Sequence, residues 1–80
     1  MITKTDLKTY SFNSIEDYFQ MIIESKVNGQ ISQMKAQIKE LSKPQLKDFI
    51  AWCSYNVRYN AGEAMEYNYE YCKNIAIGSL

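Results

Sequence analysis

Eighty residues carry nine basic and nine acidic side chains, no histidine, one proline and three glycines. That length holds one small domain with no room for a separate cofactor fold, and a hydrophobic share of 46% beside 22% charge excludes a disordered chain. The missing histidine excludes Ser/His and Cys/His nucleophile pairs and every histidine-bearing metal site.

Residues 1–12 show no clear apolar period and read as an extended arm, with Leu7, Tyr10 and Phe12 as anchors. Met1 to Asp6 begins polar and lacks the apolar stretch of a secretion signal, and no aliphatic run approaches the ~20 residues of a membrane span. A cytoplasmic protein is therefore expected, in which Cys53 and Cys72 are buried thiols rather than a disulfide. Asn13-Ser14 followed by Glu16 and Asp17 reads as a helix start, with a side-chain oxygen capping free N–H groups and acids at the positive end of the helix dipole. Ile15, Tyr18, Phe19, Ile22, Ile23 and Val27 recur at helical spacing and predict a helix over about 14–28.

Asn28-Gly29 ends that helix, and Ile31, Met34, Ile38 and Leu41 carry a second over about 31–41. Ser42-Lys43-Pro44-Gln45 is the most secure boundary: a serine cap, a proline in the first turn and a glutamine that completes a capping box. A third helix follows over about 43–60 on Leu46, Phe49, Ile50, Cys53 and Val57. After Asn60-Ala61-Gly62, the residues Ala64, Asn68, Tyr71, Cys72 and Ile75 predict a fourth over about 62–77. The expectation is one all-α domain over 1–80, a small compact bundle of three to four helices with an extended N-terminal arm. The alternative runs straight through both glycines at ~1 kcal/mol each relative to alanine. It gives two long helices in a hairpin that must dimerise to enclose a core.

Zero net charge hides an alternation along the chain. Residues 1–25 sum to −2, residues 26–60 to +4 and residues 61–80 to −2. A basic middle between acidic ends can steer an anionic partner, or serve only as a solvated helix surface. The abundant Ile, Lys, Asn and Tyr match an AT-rich coding origin, as in many low-GC bacteria and their phages.

The helix over 43–60 has a second apolar side. Stepping about 100° per residue from Trp52 puts Leu46, Ile50, Cys53 and Val57 near 100–160° and Tyr55 and Tyr59 near 300–340°. The two tyrosines thus stand beside Trp52 and almost opposite the core stripe, which gives the helix a second face of one tryptophan and two tyrosines. Such rings give large contact area, little entropy loss and a polar tip, as interface anchors do. The competing reading is a central helix covered on both sides. The partner-binding candidates are Trp52, Tyr55 and Tyr59, flanked by Arg58, Glu66 and Tyr67.

Catalysis has no foothold. Glu63, Glu66 and Glu70 are at helical spacing but have no coordinating loop, the serines have no base, and glycine-dependent phosphate and nucleophile motifs are missing. No catalytic residue, metal or cofactor is expected. The expected function is that of a small non-enzymatic regulator or inhibitor, encoded by a phage or mobile element, that occludes a functional surface of a host defence or nucleic-acid-handling protein. An alternative is a DNA-binding regulator in which Lys35, Lys39, Lys43 and Lys47 flank a helix-turn-helix outline and Gln45, Lys47 and Asp48 face a groove. Zero net charge and a turn without glycine weigh against it. A structural homodimer is the second alternative, since a chain this small buries only about 60–65% of its unfolded surface.

Overall fold

In the computed structural model, which describes residues 1–80, five helices follow one another: α1 Lys4–Thr9, α2 Ile15–Val27, α3 Ile31–Lys39, α4 Lys43–Tyr59 and α5 Glu63–Gly78. There is no strand, so the fold is all-α. No helix is long and apolar enough to cross a membrane. The N-terminal arm departs from expectation. It is not extended, because Thr3 and Asp6 build a capping box that starts α1: the Thr3 hydroxyl accepts from the Asp6 N–H at 3.1 Å and the Asp6 carboxylate accepts from the Thr3 N–H at 2.9 Å. These Thr3 hydrogen bonds, backbone first, also hold the Asp6 carboxyl below its usual value.

Two chain breaks rule out the pair of long helices. At the end of α2 the Gln30 N–H bonds to the Ser25 carbonyl at 2.8 Å and the Gly29 N–H to that of Lys26 at 3.1 Å, while Gly29 has φ +76°. This is a Schellman stop, and its left-handed residue is one that glycine adopts without steric cost. At the end of α4 the N–H groups of Asn60 and Ala61 both donate to the Asn56 carbonyl, and the chain turns through Gly62 into α5.

The starts of α2 and α4 contrast. Ser42 and Gln45 form the reciprocal cap that the sequence signalled, at 3.3 Å and 3.0 Å. Ser14 occupies the cap position of α2, but its hydroxyl caps nothing; Asp17 instead reaches back to the Asn13 N–H at 2.8 Å.

The core lies where α2, α3, α4 and α5 meet. Phe19, Ile22 and Ile23 of α2, Met34 and Ile38 of α3, Phe49 and Cys53 of α4, and Cys72 and Ala76 of α5 are all fully buried or nearly so. Each large aliphatic or aromatic side chain here contributes roughly 1.5–3 kcal/mol by leaving water. α5 is the common wall, packing most extensively on α4 and also on α2 and α3. Both cysteines are free thiols. Burial pushes each thiol up, that of Cys72 to about 11, so neither is a ready thiolate at neutral pH.

Polar groups that enter the core are paired. The Tyr18 hydroxyl donates to the Gln37 carbonyl at 2.7 Å and the Ser25 hydroxyl to the Gln37 side-chain oxygen at 2.9 Å, which ties α2 to α3. Asn56 donates to the Trp52 carbonyl at 2.8 Å and accepts from Asn60 at 3.2 Å. No buried side-chain nitrogen or oxygen lacks a partner, so the interior carries no unmet polar cost.

Candidate functional site

Helix α4 is capped firmly at Ser42 and buries Leu46, Phe49, Cys53 and Asn56 on one side. That fixes where its other side chains point. Trp52 lies at the flank of the buried stripe, and its ring leans inward: it sits 5.6 Å from Phe19, 6.0 Å from Phe49 and 5.7 Å edge-on from Tyr69 of α5. The indole is half-buried and packs against the core. The aromatic side of α4 is therefore divided between the two sequence readings, with Trp52 partly in the core and Tyr55 and Tyr59 outside it.

Tyr55 and Tyr59 are 57% and 63% exposed, with ring centroids 4.9 Å apart. An i,i+4 pair of rings on a rigid helix prearranges a contact surface, because the pair restricts the freedom a partner would otherwise have to remove. The Arg58 guanidinium carbon stands 5.5 Å from the Tyr59 ring centroid, a cation–π geometry.

The hairpin of α4 and α5 connects this pair to the acidic side of α5. Trp52 meets Tyr69 across the hairpin at 5.7 Å between ring centroids, and the short connection over residues 60–62 turns α5 back along α4. Glu63 and Glu66 occupy the exposed first turn of α5 and carry no ion pair, since the chain's one ion pair is Lys73 with Glu70 at 3.4 Å. Tyr67, 63% exposed, stands beside these acids, and its ring lies 6.1 Å from that of Tyr71. Five of the six candidates, Tyr55, Arg58, Tyr59, Glu66 and Tyr67, are thus on the surface, and Trp52 is the half-buried one.

Lys26 escaped sequence reasoning. Its ammonium lies 4.9 Å from the Tyr67 ring centroid and 4.8 Å from that of Tyr71, and donates to the Asn68 side-chain oxygen at 3.3 Å. Nothing local in the sequence announces a contact between residues more than forty apart.

The alternative lysines Lys35 and Lys39 on α3 and Lys43 and Lys47 on α4 are all exposed and unpaired. The helix-turn-helix outline loses its glutamine, however. The Gln45 side-chain oxygen accepts from the Ser42 N–H and the Ile2 N–H, and its amide donates to the Ile2 carbonyl. A side chain occupied in this way is not free to read a base edge.

No protein-family model matches this chain, and no curated protein or solved structure matches it.

Proposed function

We propose that this chain is a non-catalytic protein-binding module whose α4–α5 face docks on a partner presenting arginine or lysine beside apolar groups. The observation that carries the reading is the Tyr55–Tyr59 pair: two adjacent, mostly exposed rings on a helix whose opposite side already completes the core. The fold does not need these rings buried, so they are available for contact. Trp52 supplies a half-buried indole behind them, a graded position that suits an anchor at the border of an interface.

Charge supports a cationic partner. Glu63 and Glu66 are exposed and unpaired beside Tyr67, and the tyrosines on this side already attract the chain's own cations, Arg58 over Tyr59 and Lys26 over Tyr67 and Tyr71. Rings and carboxylates together favour guanidinium, which stacks on the one and pairs with the other. A rigid body of this size with one such face acts by covering a surface of a larger protein, which is the behaviour of an inhibitor or regulator. A basic nucleic-acid-handling site of a host protein has the required chemistry, and a phage or mobile-element origin fits the composition.

A random peptide library selected on the intact chain tests this reading. Survivors enriched in Arg, Lys and apolar residues, with binding lost in Y55A/Y59A, are expected. Enrichment in acidic peptides, or survivors that bind the double variant equally well, would overturn it. Duplex DNA serves as the second probe. Binding that falls steeply with salt and is lost on replacing Lys35, Lys39, Lys43 and Lys47 would move the function to the basic middle of the chain.

A further inference from the structure

The chain builds the same helix stop twice with different residues. At the end of α1 the Phe12 N–H bonds to the Leu7 carbonyl at 2.8 Å and the Ser11 N–H to that of Lys8 at 3.0 Å. This repeats the Schellman pattern that closes α2. At α2 the left-handed position is Gly29, whereas at α1 it is Ser11, with φ +61°, the one non-glycine residue of the chain at positive φ. A serine there is strained where glycine is not.

The helix before this strained residue is lightly held. α1 buries no residue completely; Ile2, Leu7 and Phe12 only lean on the core. Clefts of about 500 Å³ and about 710 Å³ border the segment: the first is lined by Ile2, Asp6 and Tyr10 with Tyr18 and Met21 of α2, the second by Leu7 and Phe12 with Ile15 and Gln45. One polar fastening holds its start. The Gln45 carboxamide pairs with both backbone groups of Ile2, accepting at 3.0 Å and donating at 2.6 Å, as a neighbouring strand would.

We propose that the segment Met1–Tyr10 is exchangeable between two copies of this chain, its hinge at Ser11, so that in a dimer each copy's Ile2 and Leu7 fill the seat beside Gln45 on the other. Every contact α1 makes within its own chain exists identically on a second copy, so exchange needs no new recognition surface. The differences lie at the hinge, where Ser11 leaves its left-handed conformation, the Ser11 and Phe12 N–H groups give up their bonds to the Lys8 and Leu7 carbonyls, and the connection straightens. Short hinges under strain favour this outcome. Residues 10–14, extended, reach about 17 Å, enough to cross between two adjoining bodies.

Sedimentation equilibrium of the full chain, from micromolar to millimolar concentration, tests the exchange. Wild type is expected to pass from monomer to dimer within that range. S11G removes the hinge strain from the closed form at both hinges of the dimer, and should weaken association by about thirtyfold while the monomer stays folded. In a mixture of isotope-labelled and unlabelled chains, dimers should show contacts between Ile2 of one copy and Gln45 of the other. Y55A/Y59A should dimerise like wild type, which separates this exchange from the docking face. A chain monomeric throughout, an association constant indifferent to S11G, Ile2–Gln45 contacts confined to single chains, or dimerisation lost in Y55A/Y59A would each overturn the proposal.

Discussion

Phe49 shows how much one side chain does in so small a core. It is fully buried, 5.1 Å from Phe19 and 6.0 Å from Trp52. Phe49→Ala leaves a cavity that three helices cannot all collapse into, and should lower stability by about 3–5 kcal/mol in urea unfolding. That is a large fraction of the total stability of a domain of this size. Tyr18 gives a pH-dependent counterpart. Burial, and then the nearby Glu40 carboxylate, push its phenol up to about 12 from an ordinary 10.0. A raised value means that the folded state favours the neutral phenol. Its contribution is therefore fully present below pH 10 and is lost as pH rises through about 12. Wild type should lose urea midpoint over that interval more steeply than Tyr18→Phe, which is less stable at neutral pH because the Gln37 carbonyl loses its donor. Equal slopes would show that Tyr18 ionises freely in the folded state.

Individual helices follow local signals, and the differences between their ends carry predictions. Gly29 holds φ +76° with nothing within 4 Å of the position a Cβ would take, so Gly29→Ala should cost about 1 kcal/mol from backbone strain alone. Gly62 has an ordinary φ of −76° and stands uncapped at the start of α5, also in open space. Gly62→Ser should instead stabilise by a few tenths of a kcal/mol, by adding a cap. Thermal melts of the two variants should move in opposite directions; a fall in both would contradict this account of the turns. The two glycines look alike in the sequence, where each reads as a breaker, and only the backbone separates them. The Ser42–Gln45 box was legible because its partners are three residues apart. Thr3 and Asp6 offer the same local signal, but a helix of six residues carries no apolar period to mark it, so the sequence alone suggests an arm there. Ser14 resembles a cap, but its hydroxyl caps nothing, because the Asp17 N–H that it would accept from bonds to the Ser14 carbonyl at 3.2 Å.

Across the whole molecule, what periodicity cannot supply is which neighbour a helix face meets. It grouped Trp52 with Tyr55 and Tyr59, but the inward lean of Trp52 depends on Phe19 and Tyr69, rings brought in by α2 and α5. It placed Tyr67 near the acids of α5 and gave no hint of Lys26 across the ring faces. The candidate face is thus legible as a list of residues, while its division into a half-buried anchor and exposed rings belongs to the tertiary packing. The proposed function rests on that division and predicts that Tyr55 and Tyr59 can be removed without loss to the fold. The deciding measurement is the affinity of Y55A/Y59A for a peptide selected on wild type, taken together with its urea midpoint. An unchanged midpoint with affinity lower by about tenfold or more is expected. A midpoint that drops with the affinity, or an affinity that does not move, would contradict it.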